Sequence, residues 1–255
     1  MHRFQSRTAL VTGGAHGIGL ATARRLIDEG ARVAIADVDE AAMTAALANH
    51  PEPPETMVTV RCDVTDPASV DDAIDECARR FGAIDVLVHT AGGDRGGPAG
   101  ALDESTWHDL LDFNLVGTVR CLRAALPHLI GSRFGGNAVV IGSVNGLIPL
   151  GSYPYSAAKA GLDILIANLA AQHGPRGVRF NLVAPGTVRT RVWDDQPDSL
   201  RRMTTLYPLG RVAEPADIAA AVAFLASDDA AWITGITMPV DGGLLTRGLL
   251  PPREA

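Results

Sequence analysis

Thr8-Ala-Leu-Val-Thr12-Gly13-Gly14-Ala15-His16-Gly17-Ile18-Gly19 is a short apolar run that breaks into a glycine-rich turn and resumes as a helical pattern from about Ile18 to Glu29. A strand, a turn and a helix in that order make an anion site. No side chain stands between the turn backbone and the anion, and the helix N-terminus supplies unpaired N–H donors and a favourable dipole. Gly13, Gly17 and Gly19 meet those demands, with His16 and Ile18 between them. Ordinary tight turns also need glycine. It is the position between strand and helix that points to the pyrophosphate of a dinucleotide.

Outward from this turn the pattern repeats. Arg32–Ala36, Met57–Arg61, Asp85–His89, Ala138–Ile141, Val178–Val183 and Ile236–Val240 read as further strands. Between them lie an Ala-rich helix ending before Pro51, a helix opened by Pro67 and running to about Phe81, and a long one over about Ser105–Leu129 that Pro127 is expected to kink or end. Strands separated by helices imply right-handed crossovers and a parallel sheet. Continuous apolar strands imply helices on both faces. The expected fold class is α/β: a single-domain, Rossmann-like, doubly wound parallel sheet of about seven strands. Residues 1–255 form one domain in this reading, with a cofactor half at about 1–150 and catalytic and substrate elements at about 105–255.

Composition agrees. The chain has 255 residues, 47% of them hydrophobic, enough for a core without disulfides. A formal charge of −7 offers no field for a phosphate backbone, so nucleic acid is not an expected partner. Cys62, Cys77 and Cys121 form no Cys-x-x-Cys pair and read as reduced thiols in a reducing compartment. Nothing calls for a metal. No apolar run is long enough for a signal segment or a bilayer, so the expectation is a soluble, cytoplasmic protein without a membrane partner.

Two further features bear on chemistry. Asp37 ends the second strand eighteen residues after Gly19. A carboxylate there can accept hydrogen bonds from ribose hydroxyls and repels a 2′-phosphate, favouring NAD over NADP. The competing reading, that Asp37 caps the next helix, is one that Asp39 could fill equally well. Tyr155-Ser-Ala-Ala-Lys159 spaces a phenol and an ammonium four residues apart, on one face if the segment is helical. A free phenol titrates near pH ~10. A neighbouring ammonium and an oxidised nicotinamide should both lower that value. Tyr153 has Ala157 four residues on and so lacks this partner; it is expected to line the pocket.

With these motifs in this order, the chain resembles the short-chain dehydrogenase/reductase superfamily, in its compact single-domain form, from Thr8 to about Thr246. The resemblance implies an oxidoreductase that passes hydride between a secondary alcohol or ketone and NAD(H), with Tyr155 as general acid/base. It implies that Ser143 holds the substrate oxygen and that Lys159 bonds the nicotinamide ribose. Asn114, a poor mid-helix residue on stability grounds, would anchor a water linking Lys159 to solvent. Asp63 and Val64 match the adenine-binding pair, and neither His16 nor Val38 is the Arg or Lys that the family uses for a 2′-phosphate. Pro185-Gly186-Thr187-Val188-Arg189-Thr190 resembles the nicotinamide-side segment, with Val188 backbone groups on the carboxamide and Thr190 on its amide or a phosphate. One departure appears: the family's Asn-Asn-Ala-Gly reads His89-Thr90-Ala91-Gly92. Thr90 could replace one asparagine, and His89 reads as a satisfied strand-end residue. The Asp241-Gly242-Gly243 segment is expected at a subunit contact, and the family usually forms dimers or tetramers; a homotetramer is the expectation.

The substrate is expected to be a small alcohol or ketone. Gly93–Leu102, with Asp94 and Arg95, rims one side. Arg191–Tyr207 forms a lid with Arg191, Trp193, Met203 and Tyr207 as candidate contacts, and Asn145 and Leu150 face the same space. Cells that keep NAD mostly oxidised would draw the reaction toward the ketone. The alternatives are an NADP-dependent 3-oxoacyl reductase-like enzyme and a dinucleotide-sensing regulator without turnover. A sugar-nucleotide epimerase would need more chain after Thr190.

Overall fold

The computed structural model describes residues 2–49, 55–94 and 102–246. Pro51–Pro54, expected from the sequence as a loop, and Arg95 lie outside those residues, as does most of the expected Gly93–Leu102 rim. Seven strands form one sheet: β1 (Thr8–Thr12), β2 (Arg32–Asp37), β3 (Met57–Arg61), β4 (Val86–His89), β5 (Asn137–Ile141), β6 (Arg179–Pro185) and β7 (Thr237–Val240). Their order is β3-β2-β1-β4-β5-β6-β7 and every pairing is parallel. β1, β4 and β5 are buried along their whole length, as their unbroken apolar sequences require once helices cover both faces.

The helices are α1 (Gly17–Asp28), α2 (Glu40–Ala48), α3 (Pro67–Phe81), α4 (Glu104–Leu111), α5 (Gly117–Gly131), α6 (Tyr153–His173), α7 (Pro197–Thr204) and α8 (Pro215–Ala226). Alternation along the strands sends Leu10, Leu87 and Val140 to one face, against Cys121, Leu122, Leu162 and Ile166 of α5 and α6. Val11, Val88 and Val139 go to the other, against Leu26 of α1, Met43 of α2 and Val222 of α8. Each fully buried Val, Leu or Ile contributes about 1.5–3 kcal/mol. The helix ends follow local chemistry: Asp39 accepts from the Ala42 N–H, and Asp66 caps α3 ahead of Pro67.

The expected Ser105–Leu129 helix is one helical run from Glu104 to Gly131, with Asp112–Val116 wound as a π-turn between α4 and α5. Pro127 does not end it; the helix continues to Gly131. The sheet thus sends the loops after β1, β2, β3, β4, β5 and β6 to its carboxyl edge, and the order reverses between β1 and β4. A crevice outside that switch point is where such sheets bind ligands.

Candidate active site

A cleft of about 640 Å³ opens at this edge, running from Asp37 and Val38 past the glycine turn to Gly92, Gly93 and Phe113, with Cys62–Thr65 on one wall and Thr190–Val192 on the other. Gly13, His16, Gly17, Ile18, Gly19, Asp37, Asp63, Val64, Thr90, Ala91, Gly92 and Thr190 all line it. The turn is built to stay tight. A Cβ on Gly19 would lie 2.1 Å from the Gly13 carbonyl oxygen. The Thr90 hydroxyl donates to the carbonyls of Thr12 (2.6 Å) and Gly13 (2.9 Å), tying β4 to the turn where the family has an asparagine.

The adenosine end has a defined carboxylate. One Asp37 oxygen accepts from the Ala15 N–H (3.1 Å) and the other from the Val38 and Asp39 N–H groups (2.8 and 3.1 Å). The helix cap is Asp39 instead, so Asp37 is not the cap of α2. Asp63 accepts from Thr65 through its backbone N–H and its hydroxyl, and Val64 is buried against Gly117.

At the other end, α6 begins at Tyr153, so Tyr155 and Lys159 do share a face, with Lys159 Nζ 5.6 Å from the Tyr155 ring centroid. Lys159 is 5% exposed and its ammonium donates to the Ile141 carbonyl at 2.9 Å. A Cβ on Gly92 would meet Lys159 Nζ at 3.2 Å and Asn114 Oδ1 at 2.9 Å, so only glycine fits between them. Ser143, just past β5, is hydrogen-bonded to the Tyr155 hydroxyl, donates to Asn145 Oδ1 (3.1 Å) and accepts from the Asn145 N–H.

The electrostatics differ from the expectation in one respect. Burial pushes the Tyr155 phenol up, outweighing the Ser143 hydrogen bond that lowers it; the nearby Asp94 carboxylate adds to the rise. Lys159 is itself pushed down to about 8 by burial. An ammonium bonded to a backbone carbonyl inside the protein is thus a strained charge that an anionic neighbour would relieve.

Asn114 sits buried on the π-turn, and its side chain is engaged by the loop. Oδ1 accepts from the Gly93 N–H (2.8 Å), while Nδ2 donates to the Gly93 and Leu110 carbonyls (3.1 and 3.0 Å). His89 is satisfied at one nitrogen only. Nδ1 pairs with the Thr12 hydroxyl at 2.7 Å, whereas Nε2 is buried without a partner, and burial next to Lys159 drives the ring down to about 3. The ring is therefore neutral at any ordinary pH.

The nicotinamide-side segment leaves β6 at Pro185. Gly186 packs against the Tyr207 ring. The Arg189 N–H bonds the Ala213 carbonyl and the Ala213 N–H bonds the Thr187 carbonyl, so strand alternation turns the N–H and C=O of Val188 away from Ala213. Two lid residues sit elsewhere than expected. Tyr207 is 6% exposed and its hydroxyl accepts from the Thr187 N–H (2.6 Å), holding the segment from behind instead of facing substrate. Arg191 reaches the adenosine end, 2.7 Å from His16 and 3.5 Å from Asp39. Trp193 and Met203 pack on a small cluster with Val144, Leu200 and Tyr207. Leu150 and Tyr153 are exposed at the mouth of α6. Asp39 is the helix cap that the sequence allowed, and Gly93 begins the expected rim; the pairing of Gly93 with Asn114 and of Asp39 with His16 and Arg191 was not legible in the sequence.

A dinucleotide fits this donor set. The N-terminus of α1 has no side-chain cap and no acidic residue in its first turn, and Gly17 there adopts φ +46°. Its N–H groups are open to an anion.

Among known proteins, a family profile described as enoyl-(acyl carrier protein) reductase matches residues 13–245. The chain is 41% identical to the cis-4-hydroxycyclohexanecarboxylate dehydrogenase of Sinomonas cyclohexanicum, over 94% of this chain and 97% of that one. It is 37% identical to the meso-2,3-butanediol dehydrogenase of Serratia marcescens, over 94% and 95%. A solved oxidoreductase of the short chain dehydrogenase/reductase family from Burkholderia thailandensis superposes with a TM-score of 0.86 at 40% identity, covering 94% of this chain and 93% of that one.

Proposed function

The chain belongs to the short-chain dehydrogenase/reductase superfamily and is an NAD(P)-dependent oxidoreductase acting on CH–OH groups; we propose that it oxidises a small secondary alcohol to a ketone with NAD, Tyr155 exchanging the hydroxyl proton. The observation that carries this reading is the Ser143–Tyr155–Lys159 cluster at the Gly92 end of the dinucleotide cleft.

The nicotinamide, when bound, supplies the hydride acceptor and a positive charge. The Ser143 hydroxyl and the Tyr155 oxygen hold the substrate oxygen between them. Tyr155 as phenolate takes the hydroxyl proton while the carbon gives up its hydride, so a C–H and an O–H bond break and a carbonyl forms. Reduction runs the same atoms backward. Because burial disfavours phenolate here, two cations matter: the Lys159 ammonium and the oxidised ring. Lys159 would trade its bond to Ile141 for the ribose hydroxyls, and the Val188 backbone and Thr190 would fix the carboxamide. Asn114 would serve chiefly by holding Gly93, and through it the loop between Lys159 and the cofactor.

Asp37 supports NAD over NADP, since a 2′-phosphate would meet its carboxylate. The relatives named above act on a hydroxycyclohexane acid and a diol, which supports a small hydroxylated substrate. Ile164 of α6 and Val119 of α5 expose apolar side chains; this supports a homotetramer built on those helices. We also read residues 1–255 as one dinucleotide-binding domain. The test is calorimetry with NAD and NADP, then an absorbance screen of secondary alcohols and diols. NAD-dependent oxidation is expected. Reduction with NADPH alone, across the whole panel, would contradict it.

A further inference from the structure

Arg191 was expected to touch substrate and instead spans the opposite end of the cleft. Thr190, before it, lies against the phosphate turn: a Cβ on Gly17 would sit 3.1 Å from Thr190 Cγ2. Arg191 opens the one-turn helix Arg191–Trp193 that starts the lid, and its guanidinium crosses to the residue preceding Gly17. Among the described residues lining the cleft, it is the one fixed cation.

The contact it makes there is internally inconsistent as a resting place. His16 Nε2 lies 2.8 Å from Asp39 Oδ2 and 2.7 Å from Arg191 Nη1. One ring nitrogen carries either a proton or a lone pair. With a proton it donates to Asp39 and has nothing to offer Arg191. With a lone pair it accepts from Arg191 and faces the carboxylate lone pairs. Doubly protonated, the ring repels the guanidinium. In no state are both contacts hydrogen bonds. The remaining tie, Arg191 to Asp39, is 3.5 Å long with 63% of the arginine side chain exposed, a geometry that holds weakly. Asp39 is pulled below the usual carboxylate range mainly by the Ala42 N–H and His16, and least by Arg191.

We propose that Arg191 is a pyrophosphate arm: when a dinucleotide occupies the cleft, the guanidinium leaves His16 and Asp39 and takes the phosphate oxygens opposite the α1 N-terminus, drawing the start of the lid over the cofactor. Arginine suits this, because its planar fork bonds two phosphate oxygens at once and such charge-assisted pairs are the stronger kind. Helix N–H groups then bind the anion from one side and Arg191 from the other. The inference rests on the dinucleotide reading of the cleft.

Calorimetry on the full chain separates the possibilities, with NADH, ADP-ribose and adenosine as probes and Arg191→Met as the variant, which keeps the stem and removes the charge. The arm predicts that NADH and ADP-ribose both weaken by about tenfold or more, that adenosine is unaffected, and that Arg191→Lys recovers part of the loss. Unchanged binding of ADP-ribose to Arg191→Met, with normal wild-type affinity, would overturn the arm and leave the cofactor reading intact. A loss equal for adenosine would also overturn it. Wild-type protein that binds no dinucleotide would instead overturn the cofactor reading itself.

Discussion

The phosphate turn and the lid border one cleft, yet they are specified in opposite ways. Gly13–Gly19 is fixed by backbone: a missing Cβ, carbonyls tied to Thr90, and N–H groups left open at a helix start. Arg191–Tyr207 is held by side chains packed in a five-residue satellite cluster and by one long ion pair, Arg191 to Asp39. Backbone demands restrict the residue type at each position, whereas side-chain demands restrict only the sum. The turn can therefore do one thing, and the lid can be retuned.

Three substitutions sharpen that contrast. Gly19→Ala should do the most damage, since its Cβ would lie 2.1 Å from the Gly13 carbonyl and neither backbone can give way. A cost of about 3 kcal/mol is expected, on the order of 10 °C in Tm, with dinucleotide binding lost; thermal melts and calorimetry measure both. Lys159→Met should separate stability from function. The lysine's folded value of about 8 lies below its usual 10.5. Its charge therefore destabilises the fold at pH below 8, and that cost fades as pH rises from 8 to 10.5. The variant should gain about 1 kcal/mol or more at pH 7, less at pH 10, while turnover falls about 10³-fold. Urea melts at the two pH values check the sign. Asp37→Asn removes the charge and keeps one acceptor oxygen, enough for the Val38 and Asp39 N–H groups but not for the Ala15 N–H, which bonds the other oxygen. The ratio of NADP to NAD affinity should then rise about tenfold, with stability shifted by under about 1 kcal/mol; an unmoved ratio would remove Asp37 from cofactor choice.

Leu150→Ala, on the exposed side, should change Tm little and alter the KM for alcohol by a few fold. An effect on stability as large as that of Gly19→Ala would contradict the exposed placement of Leu150.

The same distinction explains what could be read in the sequence. The central strands were legible because burial on both faces forces unbroken apolar runs, as in Thr8–Thr12 and Val86–His89. The order of the catalytic candidates was legible because Ser143, Tyr155 and Lys159 hang from rigid elements whose spacing is fixed. The π-turn at Asp112–Val116 was not, since one extra residue in a helical turn hardly disturbs a 3.6-residue period. Nor were the positions of Tyr207 and Arg191. A tyrosine can face substrate or brace a loop, and an arginine stem is long enough to serve either end of the cleft. His89 shows the limit most plainly: strand position predicted its burial, but which of its nitrogens finds a partner depends on Thr12, a neighbour 77 residues away.

The central claim is that Tyr155 moves the substrate proton in a site that binds its dinucleotide independently of that group. Tyr155→Phe tests it in one preparation, by calorimetry with NAD and by steady-state oxidation of the best alcohol found. The account predicts NAD affinity within about twofold of wild type and turnover reduced about 10³-fold or more. Turnover within about tenfold of wild type, with NAD still bound, would contradict it.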